Sequence, residues 1–216
     1  MGVRIKMCGF TRTQDLEAAV ALGVDAVGLV LDPCPQQVDR SRIPDLLSAS
    51  EGALSVAVTG PTDVDGIART LELGFDVIQA VLSVEAWARL DPALPVLPVL
   101  FDGPELVQKA DSLMEIARPP TPLGRLNVDG AGGGGRGVEA DWSRAAACVE
   151  LGPIMLSGGL RADNVAAALE AVRPTAIDVS SFIEETPGVK TPSRMRAFLQ
   201  AAREAERERP HTAFSH

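Results

Sequence analysis

Two side chains able to move protons stand directly behind short apolar runs. Cys8 follows residues 3–7, VRIKM, and Asp129 follows residues 126–128, LNV. A thiol titrates near pH 8.5, and a nearby cation or helix N-terminus brings it into the range of a general base. Lys6 lies two residues before Cys8, on the same side of an extended strand. Position alone leaves Cys8 as a base or a small buried hydrophobe. It leaves Asp129 as a functional carboxyl group or a turn former. Lys6 in turn either supports the thiolate or pairs with a core carboxylate, the usual state of a buried lysine.

A third feature binds rather than reacts. Residues 154–181 read as a strand, a glycine turn at Gly158 and Gly159, an amphipathic helix, and a second strand ending in Ser180 and Ser181. Backbone N–H groups at these two turns would converge on an anion without side-chain charge, as in a phosphate cradle. The plainer reading is two tight turns. Asp178, just before the serines, either orients that loop or makes a structural hydrogen bond.

What is missing narrows the chemistry. The two histidines, His211 and His216, lie in a polar tail, and tyrosine is absent. Histidine metal sites, Ser/His/Asp hydrolysis and histidine acid–base catalysis are therefore not expected. Proton transfer falls to carboxylates, cysteine or lysine. Cys8, Cys34 and Cys148 are odd in number and irregular in spacing, which argues against a disulfide framework or a zinc knuckle and suits a reducing compartment.

These residues need a scaffold that brings distant strand ends together. Apolar runs at residues 3–7, 26–31, 54–58, 77–81, 96–100, 126–128, 154–156 and 176–179 give eight candidate strands. Amphipathic stretches such as 15–22, 64–73 and 165–172 lie between most of them, implying parallel pairing through right-handed crossovers. LGVDAVGLVL at residues 22–31 recurs as LGFDVIQAVL at residues 73–82, two units later. The predicted fold is a single-domain (β/α)8 TIM barrel over residues 1–203, with a polar tail at 204–216. Its active site lies at the C-terminal ends of the strands and its phosphate site after the last two. The proline cluster after residue 100 predicts a short or irregular fifth helix.

Charge and hydropathy bound the partners. The chain of 216 residues has a formal net charge of −9, which disfavours nucleic acid and acidic membrane surfaces. No run suggests a signal peptide or a transmembrane helix, so a cytoplasmic protein, monomer or homodimer, is expected.

Six segments in order, Lys6-Met7-Cys8-Gly9-Phe10-Thr11, Asp129, GGRGVEADW, LSGGLRADNV, IDVSSFIE and PGVK, resemble the phosphoribosylanthranilate isomerase family of tryptophan biosynthesis. The likeness is collinear from about residue 3 to 203. It implies an Amadori rearrangement of a phosphorylated aminosugar, without cofactor or metal. Asp129 would be the general acid, Cys8 the general base, and Gly158, Gly159, Ser180 and Ser181 the phosphate ligands.

Four departures bear on the rest of the substrate. Gln36 stands where the family's Ser-Pro-Arg would offer an arginine to the anthranilate carboxylate. Ala80-Val81-Leu82 replaces Leu-His-Gly. Phe182 replaces the glycine of DVSSG, with strain expected if that position needs positive φ. Arg136 stands at a usual Ser or Thr in the glycine loop. Arg136 would take the carboxylate that Gln36 cannot; Arg40 is a rival, and a solvated arginine the plain alternative. Two other functions fit the pattern: isomerisation of a phosphoribosyl amine with a changed aglycone, and phosphate-ligand binding without turnover.

Overall fold

A parallel strand is covered on both faces, so it needs nearly continuous apolar sequence and a helix after it to return the chain. That alternation holds throughout the computed structural model, which describes residues 2–131 and 138–208. In chain order the elements are β1 (Arg4–Cys8), α1 (Thr13–Ala21), β2 (Ala26–Val30), α2 (Ile43–Ala49), β3 (Leu54–Pro61), α3 (Val64–Leu71), β4 (Val77–Val81) and α4 (Val84–Arg89). There follow β5 (Val96–Phe101), α5 (Leu106–Met114), β6 (Leu126–Asp129), α6 (Trp142–Val149), β7 (Ile154–Leu156), α7 (Val165–Val172), β8 (Ala176–Val179), a hairpin of β9 (Glu184–Thr186) and β10 (Val189–Lys190), and α8 (Pro192–Glu208). β1 to β8 pair in sequence order and close into a parallel barrel, the predicted TIM fold.

Helix starts follow local chemistry. Asp63, Ser83 and Asp141 cap α3, α4 and α6 by accepting from backbone N–H groups of the first turn. Among the described residues, Arg173 after α7 is the one non-glycine with positive φ, at 57°. It closes that helix in the left-handed conformation. No described helix is long and apolar enough to cross a membrane.

Two expectations differ from what forms. The fifth helix is a regular nine-residue element, and the shortest of the eight is α4, with six residues. The irregular chain lies after α5, where Arg118 of the proline cluster reaches back to α4. Its guanidinium donates to the carbonyls of Trp87, Leu90 and Asp91 at 2.5 to 2.8 Å and lies 4.1 Å from the Trp87 ring centroid. The polar tail expected from residue 204 begins as helix, since α8 runs to Glu208. Ala205 is buried there, and Glu206 accepts from Arg203 and from the backbone N–H of Val3.

The barrel interior is layered because alternate residues of each strand face inward. Its floor is apolar, built from Ala26, Val56, Val77, Leu97, Met155 and Ala176. Two residues beyond Val77 and Ala176, Gln79 and Asp178 are buried polar groups, as are Asn127 and Lys6. At the mouth, on or just after the strands, Cys8, Val30, Val58, Val81, Val99, Asp129, Ser157 and Ser180 line one cavity. Polarity thus increases from floor to mouth on part of the circumference.

Replacing Arg118 by Met would strand three carbonyls of the α4 end. Unfolding in urea is expected to report a loss of about 2 kcal/mol, and an unchanged midpoint would show that those carbonyls find other donors.

Candidate active site

Cys8 and Asp129 end strands 1 and 6 and line the same cavity, each almost wholly buried at 6% and 8% exposure. The room for the thiol is made by β2. Cys8 is in register with Gly28, and a Cβ built there would lie 2.6 Å from Cys8 Sγ and 3.1 Å from Lys6 Nζ. Beneath the thiol, Lys6 Nζ meets Asp178 Oδ2 at 3.0 Å across the seam between β1 and β8, where the two residues are in register. Of the two roles open to Lys6, it takes the carboxylate as partner and keeps the thiol within its field.

Burial dominates the titration of both groups. It raises the Cys8 thiol, and the Lys6 ammonium opposes that rise. Burial, reinforced by the negative Asp178, pushes Asp129 up to about 6, while a hydrogen bond from the Gly130 N–H and the charge of Lys6 pull the other way. A carboxyl group in that range can hold a proton near neutrality and release it, as a general acid must. Lys6 stays above the usual lysine range, because Asp178 and Cys8 outweigh its burial.

Gly158, Gly159, Ser180 and Ser181 come together on the other side of the same mouth. Gly158 and Gly159 have φ of 89° and 65°. Side chains there would also strike the backbone of Gly130, Val138 and Glu139, so both positions require glycine. Asn164 Nδ2 donates to the Gly159 carbonyl at 3.0 Å, and Arg161 reaches the same oxygen. Among the described residues, the backbone N–H groups of Gly158, Gly159 and Ser180 donate no hydrogen bond. Ser181 opens a 3-10 turn, where N–H groups have no partner within the turn. Donors held rigidly and left unpaired suit an anion.

Gln36 also reaches this side, but its amide turns toward the protein. Nε2 donates to Ser180 Oγ at 3.0 Å and to Glu184 Oε1 at 2.7 Å. Ser180 Oγ in turn donates to the Cys8 carbonyl at 3.1 Å. Glu184 Oε1 further accepts from the Gly188 N–H at 3.1 Å and from Lys190 Nζ at 2.6 Å, within a buried ion pair. Asn164, Glu184 and Lys190 support the site from inside recognised motifs, but nothing in their spacing shows what they touch.

Of the remaining expectations, Phe182 is free of the feared strain, since its φ is not positive. It lines the mouth and has the Arg161 guanidinium 5.1 Å from its ring centroid. Val81 puts an apolar side chain in the cavity wall. Arg40 lies exposed in a 3-10 turn at Arg40–Arg42, away from the cavity lining. Arg136 lies outside the described residues.

With this geometry in place, comparison with known proteins is decisive. A family model described as N-(5'phosphoribosyl)anthranilate (PRA) isomerase matches residues 5–201. The chain belongs to this family. The N-(5'-phosphoribosyl)anthranilate isomerase of Ralstonia nicotianae is 38% identical over 227 residues, covering 94% of both chains. That of Chromohalobacter salexigens is 35% identical over 206 residues, covering 91% of this chain and 92% of the relative. Among solved structures, phosphoribosyl anthranilate isomerase from Thermotoga maritima superposes with a TM-score of 0.81 at 26% identity, covering 94% of this chain and 99% of its own. TrpF from Jonesia denitrificans gives 0.74 at 30%, covering 96% and 100%.

The fit between Gly28 and the thiol is open to direct test. Gly28→Ala is expected to displace the Cys8 side chain and cost about 1 to 3 kcal/mol by overpacking, read from urea unfolding alongside the rate of Cys8 alkylation. Unaltered values for both would show that the sulfur has room to spare.

Proposed function

We propose that the chain isomerises N-(5'-phosphoribosyl)anthranilate to 1-(2-carboxyphenylamino)-1-deoxyribulose 5-phosphate, with Asp129 as acid and Cys8 as base. The observation carrying this reading is that one cavity holds both groups, on strands 1 and 6, beside a set of unpaired backbone donors. A sugar phosphate anchored at Gly158, Gly159, Ser180 and Ser181 extends its ribose between the two.

The protonated Asp129 gives its proton to the furanose ring oxygen as the C1′–O bond opens, and the nitrogen lone pair forms an iminium. The Cys8 thiolate then removes the C2′ proton, whose electron pair passes into an enolamine. Tautomerisation returns a proton to C1′ and leaves a ketone at C2′. The transfers at the ring oxygen and at C2′ fall to these two residues, and the route calls on no cofactor or metal. Lys6 and Asp178 act as positioning residues below the thiolate, with Lys6 stabilising its negative charge. The substrate is a phosphorylated small molecule, and the acidic, cofactor-independent chain fits a cytoplasmic biosynthetic role.

The two titrations set an unusual pH dependence. The active form needs Asp129 protonated and Cys8 ionised, the reverse of their order of proton loss, because Asp129 titrates at about 6 and the thiol above its ordinary value. Between these values the loss of acid and the gain of base cancel. Below about pH 6 the acid is already fully protonated while thiolate continues to fall, so kcat/KM is expected to drop about tenfold per pH unit there, and to be flat from about pH 6 up to the titration of the thiol. A profile that instead declines steadily from pH 6 to 8 would remove Cys8 from the role of base.

Substitution provides the complementary test. Cys8→Ala and Asp129→Asn are each expected to lower kcat by about 10²-fold or more, followed by the fluorescence change of the anthranilate group as the aminoaldose is consumed. Near-wild-type turnover by either variant would reject the assignment of that residue.

A further inference from the structure

The mouth of the barrel divides by strand. β1, β6, β7 and β8 bring the reactive and polar groups, Cys8, Asp129, Ser157 and Ser180, whereas β2 to β5 bring chiefly apolar ones, Val30, Val58, Val81, Val99 and Phe101, with the neutral Thr59 and Gln79 among them. In the closed strand order, β3 and β4 stand opposite β7 and β8. A substrate phosphate at the β7 and β8 loops therefore directs the far end of the molecule, its aromatic aglycone, onto this apolar arc. Phe101 is 38% exposed at the strand end, a large apolar surface that an aromatic ring would cover.

Among the described residues the same arc offers a carboxylate no cation, only neutral groups such as the Thr59 hydroxyl and the Gln79 amide. Among the described residues the cavity lining contains no lysine or arginine, while Asp32, Asp129 and Asp178 all belong to it. Gln36, the neutral group nearest the role, has both amide hydrogens engaged by Ser180 and Glu184. Only its acceptor oxygen is left, and an acceptor does not bind an anion. Asp32 accepts from the Gly60 N–H on the β2 and β3 side of the mouth.

We infer that the aglycone subsite holds an aromatic ring by apolar contact and does not recognise an ortho-carboxylate, so that the chain also isomerises carboxylate-free N-(5-phosphoribosyl)arylamines. This rests on the reaction proposed above, and the bond changes are the same. The ring C1′–O bond breaks with the proton of Asp129, the C2′ proton goes to Cys8, and a proton returns to C1′. C1′ is reduced as C2′ is oxidised to the ketone, so no outside oxidant or reductant enters. The carboxylate takes part in no step.

The experiment compares N-(5-phosphoribosyl)aniline with N-(5-phosphoribosyl)anthranilate, following the ketose by proton NMR. Wild-type kcat/KM values within about tenfold of one another support the inference, as does an equal loss, about tenfold, for both compounds in Phe101→Ala. A preference for the anthranilate compound above about a hundredfold overturns it. So does a preference that Arg136→Ala abolishes, which would make that arginine the carboxylate ligand. Turnover of the anthranilate compound alone defeats only this inference, whereas turnover of neither defeats the isomerase reading as well.

Discussion

The contact between Lys6 and Asp178 joins the first strand of the barrel to the last. It is a 3.0 Å ion pair with the ammonium completely buried and the carboxylate nearly so. Two charges in that position cost several kcal/mol in desolvation and are tolerable only together. Their mutual dependence fixes the register of the closing seam, in which Arg4 to Met7 face Ala176 to Val179. It also sets the field around the reactive groups, since Lys6 lowers the free energy of a Cys8 thiolate and Asp178 raises that of an ionised Asp129. Structural closure and chemical tuning thus rest on the same pair.

Around that pair, the inward positions carry different tasks at different heights and on different sides. The apolar floor supplies the burial that stabilises the barrel. The buried polar groups above it prepare the mouth, and the mouth separates a reactive arc from an apolar one. The separation follows from the residues that line the mouth, valines of β2 to β5 on one side and Cys8, Asp129, Ser157 and Ser180 on the other. Backbone geometry does the rest: glycine at 158 and 159 lets the β7 loop approach the β6 loop more closely than any side chain would permit.

Much of this could be read in the chain before any coordinates. Eight apolar runs separated by helical periods gave the barrel, and the positions of Cys8 and Asp129 just after two of those runs gave the site, because strand ends in such a barrel share one face. Boundaries were less legible. β3 reaches Pro61 through its pairing with Val81, which no hydrophobic pattern announces. The proline cluster hid a regular α5 because its residues follow that helix. Gln36 was readable as a lost positive charge but not as a donor to Ser180 and Glu184, since that network joins residues up to 148 positions apart. Phe182 looked strained only under the assumption of a glycine-like backbone, and the chain takes an ordinary conformation there.

The hairpin of β9 and β10 ties the chain after β8 back to the loop and helix that follow β1. Thr11 Oγ1 donates to the Gly188 carbonyl at 2.6 Å, the Lys190 N–H donates to Asp15 at 2.9 Å, and Ser180 binds the Cys8 carbonyl 172 residues away. The cysteine leaves the ribosome 172 residues ahead of Ser180, one of the groups that hold its neighbourhood in place. Closure by such distant contacts is slow relative to local helix formation. During synthesis the thiol therefore exists without its surrounding enclosure until residues 180–190 have been made, and the cavity around it closes only then.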